Sequence, residues 1–432
     1  MIKKLMLLVL CFMLALPAQA LNVIRDTEIE ETLKGYIQKI FKAGNLPEEN
    51  AEVILINDNS INAFVAGGQT IFVHTGLITH SKNVDDIMFV LSHETGHIIG
   101  GHITRGITEY QKAQKTALVS TILGGILAVA SGRPDAGIAV MMGSQTSAMG
   151  TFTSYRQVEE SSADRTAVDI MQKMGYSMQG FTNIMNQIQA EERLNTNEKS
   201  LNYLRTHPLT TDRKRNIQHF MENTPKVRED KTFNRIKAKL VGFMLEPSQA
   251  KGLYHGNSLE DLYAQSIIAY REHKLNEAIQ KLDRVIQQEP NNPFLYELKG
   301  QFSFESGHLD EAIINYTKAV KLKPSPLIQI SLAQALVERG TKEDLKNALT
   351  YLNQAVLKEG ETSLPWRLMA TAYDKLGEDN LSQYAMAEYY LASNQTAKAR
   401  KIAEKTLKNT DKNSAVYQKL KDILDKQDKK ED

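Results

Sequence analysis

Cysteine is almost absent from this 432-residue chain, and Cys11 is the only one. It sits in an N-terminal stretch, residues 1–20, that reads as a secretory signal. Lys3 and Lys4 form the charged region, Leu5 to Leu16 the apolar core, and Ala18-Gln19-Ala20 the small-x-small cleavage site. Bulky Leu10 before Cys11 and apolar residues after it make a poor lipidation site. The mature chain is therefore expected to lack disulfides, and any metal it holds must be bound through nitrogen and oxygen. A surplus of one charge is missing too. The 52 basic and 51 acidic residues leave a net charge of +1. No basic run forms a binding arm, so nothing electrostatic points to nucleic acid. Long apolar runs are also lacking. The signal core is too short for a comfortable membrane span, and so is each arm of a small-residue stretch at 116–150. That stretch, Ala117–Ala130 and Ala136–Met142 around a break at Ser131-Gly132-Arg133-Pro134-Asp135, reads as a helical hairpin. It either covers a functional site or touches a bilayer surface, with plain core packing an equal alternative.

What the chain does contain is His93-Glu94-Thr95-Gly96-His97, inside a helical run from Asp85 to His102. Two histidines four apart share one helix face and reach one zinc ion, and the adjacent glutamate can polarise a water there. Three fixed positions make a weak pattern by themselves. A catalytic zinc also needs a third protein ligand and an open fourth position. The extended form H-E-x-x-H-x-x-G-x-x-H finds its glycine at Gly100, but Ile103 stands where the third histidine belongs. His102 falls one residue early, points elsewhere on the helix and receives no role. A second helix supplies the alternative. Glu160, Ala163, Ala167, Ile170 and Met171 form a helical stripe that puts Glu160 on the buried side. A carboxylate there must be paired or bound to metal. Asp164, one turn on, is placed to hold a ligating histidine in the correct tautomer. Glu159 points about 100° away, towards solvent. The expected set is His93, His97 and Glu160 on one zinc, Glu94 as general base, and Asp164 behind the ligands.

These residues resemble the gluzincin peptidases that include the CAAX-prenyl endopeptidase and the bacterial inner-membrane heat-shock peptidase. Asn62–Gly68 followed by Ile71–Leu77 resembles that family's β-hairpin ahead of the zinc helix, and Thr206–Arg213 its late His-Pro segment. The resemblance spans about residues 25–245 and is nearest to the soluble periplasmic branch. It implies an α+β zincin-like metallopeptidase domain, residues 21–245, and an active-site role for His207. That histidine, held in an extended turn before Pro208, either fills the open zinc position at rest or, with Arg213, stabilises the oxyanion of the tetrahedral intermediate. His74, His80 and His219 show no ligand spacing. The resemblance further implies quality control of outer-membrane β-barrel proteins in a bacterial periplasm, both degrading misassembled clients and assisting assembly as a chaperone, with contact to the β-barrel assembly machinery through C-terminal repeats.

Around the motif, Glu28 to Gly44 reads as an amphipathic helix. Val53–Ile56 and Ile71-Phe72-Val73 read as strands of a small antiparallel sheet joined through the Gly67-Gly68 turn. In zinc peptidases the open edge of such a sheet takes the substrate backbone as an added strand. After a linker at 246–257 the chain becomes repetitive. Ala278 and Pro290 recur as Ala312 and Pro324, with Gly300, Gly307, Tyr316 and Ala319 at the expected places. That is the tetratricopeptide (TPR) pattern. A third unit covers Pro326–Gly360, a fourth begins near Trp366, and a weaker one runs from Ala385 to Ile402. Residues 258–425 are thus expected to form an all-α TPR superhelix whose concave face holds a partner, followed by a charged, frayed tail at 426–432. A rival reading is a repeat scaffold or chaperone with a latent or vestigial peptidase site. The intact Glu94 argues against a vestige.

Overall fold

Runs of β-branched and aromatic residues between turn formers make a four-stranded sheet near the start of the chain. Its strands are β1 (Val23–Ile24), β2 (Glu52–Ile56), β3 (Ala63–Ala66) and β4 (Thr70–His74), in the order β1-β2-β4-β3. This is a computed structural model, and it describes residues 22–102, 156–194 and 224–431, together with 104–106, 108, 111, 112, 207, 213, 215, 217, 220 and 221. The expected signal at 1–20 and the expected hairpin at 116–150 lie outside the described residues. By contacts the chain divides into two units, Met1–Arg25 with Thr32–Phe233, and Asp26–Glu31 with Asn234–Asp432.

In the first unit β3 and β4 form the antiparallel hairpin. It is closed by Gly67 (φ 63°) and Gly68 (φ 102°), conformations that a side chain resists. The strand before it departs from the expectation. β2 pairs with β4 in parallel, Val53 opposite Ile71 and Leu55 opposite Val73, so the sheet is mixed. Two chain reversals separate β2 from β4, one at 57–62 and one at the glycines, and two reversals restore the original direction. The strand pattern was legible, but its direction was not. Among the described residues β3 is an edge. Helix α1 (Thr27–Ala43) buries Leu33, Ile37, Ile40 and Phe41, the spacing expected of one apolar stripe. After the short α2 (Thr75–His80) comes α3 (Val84–Gly100), the helix of the motif. Asn83 caps it by accepting from the Asp85 N–H. From Val84 to His97 every residue of α3 is buried, so it is a central core helix rather than an amphipathic surface one. It packs on β3 and on α5 (Gln179–Leu194), with Phe89 edge-on to Phe181 and Asp86 accepting from Asn183 at 2.8 Å. Between them in sequence lies α4, whose described residues are 156–174.

The second unit opens with α6 (Lys231–Met244) and α7 (Pro247–Leu253). The expected linker at 246–257 therefore contains a helix, and from Asn234 onward α6 counts with the repeats. The reason is packing: Ala238 and Val241 of α6 are fully buried in clusters with Tyr263 and Ile268. Five helix pairs follow among the described residues: α8 (Leu259–Arg271) with α9 (Leu275–Gln288), α10 (Pro293–Glu305) with α11 (Leu309–Leu322), α12 (Pro326–Arg339) with α13 (Lys342–Glu359), α14 (Ser363–Lys375) with α15 (Asp379–Ala392), and α16 (Thr396–Leu407) with α17 (Ala415–Glu431). The fifth pair starts at Thr396, so Ala385 belongs to the fourth. Helix α17 runs through the segment expected to be a frayed tail. Each helix contacts the next, as in a TPR superhelix. No helix among the described residues is long and apolar enough to cross a membrane.

The first turn of α1 is tied into this second unit by buried charges. Glu28, wholly buried, accepts from Arg235 Nε at 2.5 Å and from the Tyr263 hydroxyl at 2.9 Å. Lys239 lies 2.6 Å from Asp26 and 3.3 Å from Glu28. Burial works to lower Lys239, but Asp26 and then the other acidic neighbours outweigh it and raise its pKa well above the ordinary lysine value. Removing one member of such a set strands the others without counter-charge, which costs about 3–5 kcal/mol. Glu28→Ala is expected to lower the unfolding free energy by that order, whereas Glu31→Ala, exposed on the same turn, should leave it nearly unchanged. Chemical denaturation followed by far-UV dichroism measures both.

Candidate metal centre

Helices α3 and α4 touch at backbone level. A Cβ added to Gly96 would fall 2.8 Å from both Cα and O of Ala163, so neither position tolerates bulk. This crossing sets Glu160, one turn before Ala163, against the two motif histidines. His93 Nε2 and His97 Nε2 stand 3.1 Å apart. The Glu160 oxygens lie 3.3 Å from His93 Nε2 and 3.4 Å from His97 Nε2. His207 completes the group: its Nδ1 is 3.3 Å from His93 Nε2 and 3.1 Å from Glu160 Oε1. The four donor atoms all lie within 4.8 Å of one another. Ligands held tetrahedrally at ordinary zinc distances are separated by about 3.3 Å, and these spacings fit a zinc ion closely. Two or three imidazoles with a carboxylate, and no sulfur, also suit that metal.

Electrostatics press the same way. Burial works to lower His93, yet Asp164 and Glu160 beside it outweigh this and hold it up at about 10. Burial likewise works to raise Glu160, but the neighbouring imidazoles, His207 first, bring it well below the usual carboxylate range. Burial holds His97 and His207 below the ordinary imidazole value, so His93 carries the positive charge beside the ionised Glu160, and a bound cation would replace it. Glu94 is buried, and burial pushes its carboxyl up to about 7. Its Oε1 makes no hydrogen bond among the described residues and lies 3.5 Å from His207 Nε2. A buried carboxyl pushed up towards neutrality can take and return a proton.

Behind the donors, Asp164 Oδ1 lies 2.9 Å from His93 Nδ1. Arg213 reaches the carboxylates of the cluster. It is 1% exposed, and its guanidinium holds Asp164 with two bonds of 2.6 and 2.8 Å and Glu160 at 3.0 Å. A fork closed on these two carboxylates fixes their positions. Contrary to expectation, Glu159 does not face solvent. It is buried, because α4 covers paired positions 159–160, 163–164 and 167–168 rather than one narrow stripe, and Val158 faces out instead. His102 was missed. It is buried with its Nδ1 2.9 Å from His97 Nδ1. Burial, then the nearby His97 and Arg105, lower its pKa to about 4. The pair Gly100-Gly101 before it was the available signal, since glycine there ends a helix and lets the chain turn back.

A HExxH helix, a glutamate from a second helix and an edge strand on an α+β scaffold define a metallopeptidase. Residues 25–221 match the model of peptidase family M48, and that segment is a domain of the family. Among curated relatives, the beta-barrel assembly-enhancing protease of Escherichia coli K12 is 25% identical over 85% of this chain and 76% of its own length. The protein of the same name from Yersinia pestis is 27% identical over 66% of this chain and 60% of its own. The mitochondrial metalloendopeptidase OMA1 of Arabidopsis thaliana is 31% identical over 20% of this chain and 18% of its own.

The helix crossing is testable. At an ordinary helical site Gly→Ala stabilises by about 1 kcal/mol. Gly96→Ala is expected to do the reverse, lowering thermal stability and weakening metal retention together, because its methyl group drives α4 and Glu160 away. Thermal melts with metal content measured on the same samples decide it.

Proposed function

We propose that this chain is a zinc endopeptidase of the bacterial envelope that cuts misassembled outer-membrane proteins and is held inactive at rest by His207. The observation that carries the reading is the donor set beside Glu94: four side chains whose ligand atoms lie within 4.8 Å of one another, with a buried carboxyl 3.5 Å from one of them. His93, His97 and Glu160 would hold the ion. Zinc bound there supplies Lewis acidity, polarising a carbonyl and making a water easier to deprotonate. Glu94 takes the proton of the attacking water and passes it to the leaving amine. Asp164 and Arg213 keep His93 and Glu160 oriented. The substrate backbone adds to edge strand β3, which recognises extended chain rather than sequence.

The spacing of His207 favours the resting-state role over the oxyanion one. Its Nδ1 stands among the donors and its Nε2 towards Glu94, so it must swing away before a substrate can enter. The relatives named for β-barrel assembly, the secretory-type N-terminus and the TPR array support an envelope client and a protein partner, with the assembly machinery the partner proposed for the repeats. An array of this length offers a broad concave surface for such a partner.

Glu94→Gln is expected to keep its zinc and lose at least about 10³-fold in casein cleavage, whereas Glu160→Ala should lose the zinc itself. A full zinc complement in Glu160→Ala would refute the ligand set.

His207→Ala should raise basal cleavage, self-cleavage included. A fall in kcat at constant KM would instead return the oxyanion role. If neither wild type nor His207→Ala cuts any unfolded substrate while both bind envelope proteins, the scaffold reading replaces the peptidase one.

A further inference from the structure

Both motif histidines need a fixed tautomer, because a ligating Nε2 is a lone-pair donor only when the proton sits on Nδ1. For His93 that proton faces Asp164. No carboxylate serves His97 among the described residues. Its Nδ1 faces the Nδ1 of His102 at 2.9 Å, with the rings 5.0 Å apart and nearly perpendicular.

We propose that His102 is the positioning residue for His97. Its Nδ1 accepts the Nδ1–H of His97, fixes that tautomer and turns Nε2 onto the metal. His102 is itself 4% exposed, and its accepting nitrogen faces the back of His97 rather than the donor cluster, so it is not a ligand. The chain is built to place it. Helix α3 ends at Gly100, and Gly101 takes the left-handed conformation (φ 61°), its N–H bonding back to the carbonyls of His97 and Ile98. That reversal brings the ring of His102 down against the last turn. Gly100 provides the space: a Cβ there would lie 2.2 Å from His102 Nε2 and 2.6 Å from Cδ2 and Cε1. Gly100, Gly101 and His102 thus act as one device. An imidazole acceptor leaves the charge of the site unchanged, unlike the carboxylate behind His93, so the two ligands are supported by different chemistry.

The inference rests on the zinc reading, and the test separates the two. Zinc affinity of the full chain is measured by chelator competition in wild type, His102→Asn, His102→Phe, His102→Ala, Gly100→Ala and the double variant Gly100→Ala/His102→Ala. Asparagine sets its Oδ1 where the accepting Nδ1 stood, whereas phenylalanine keeps the ring and loses the acceptor. His102→Phe is expected to weaken zinc about 10–100-fold, the usual effect of losing such a partner, while His102→Asn stays close to wild type. Gly100→Ala should weaken zinc by a similar factor alone and add nothing to His102→Ala. Equal affinity for wild type and His102→Phe overturns the proposal. So does an equal loss in Asn and Phe, which would mean that shape alone matters, or a Gly100→Ala effect that persists without the histidine. No zinc binding by wild type would instead overturn the underlying metal reading.

Discussion

The contact between Gly96 and Ala163 is the constraint on which the site depends. Glu160 is useful only within bonding reach of the two histidines, and it is buried with 2% exposure, where a lone carboxylate costs several kcal/mol. A single methyl at Gly96 would separate the helices by more than the tolerance of a metal site. Close approach of two backbones therefore fixes the ligand distances, and small residues at the crossing are what allow it. Arg213 then offsets part of the buried negative charge. Glu94, Glu160 and Asp164 together carry three negative charges when ionised, against one guanidinium. The two left over match a divalent cation, and until one binds, protonation of His93 and Glu94 supplies the balance.

The same physics recurs in the second unit with a different outcome. Glu28, Asp26, Arg235, Lys239 and Tyr263 form a buried set in which every carboxylate meets a cation or a hydroxyl at short range. Among the described residues no group of candidate metal ligands forms there, and the set holds the first turn of α1 against α6 and α8. Buried charge is thus not a functional signal by itself. The distinguishing feature of the first cluster is several lone pairs facing one another at ligand spacing.

The sequence by itself determined whatever depends on residues close together along one element. The i, i+4 spacing of His93 and His97, the stripe bearing Glu160 and Asp164, and the 34-residue recurrence of alanine and proline are properties of a helix or helix pair. Each was legible because helical periodicity translates directly into facing. Tertiary structure decided what depends on how elements meet. The direction of β2 against β4 follows from counting reversals, one of which a four-residue strand concealed. The burial of Glu159 follows from α4 being covered on two sides, and the engagement of Arg213 from the distance between segments far apart in sequence. His102 is the instructive case. Read as a continuing helix, it points away from the site. One left-handed glycine ends the helix and reverses that direction, because side-chain facing is inherited along a helix only as long as the helix continues.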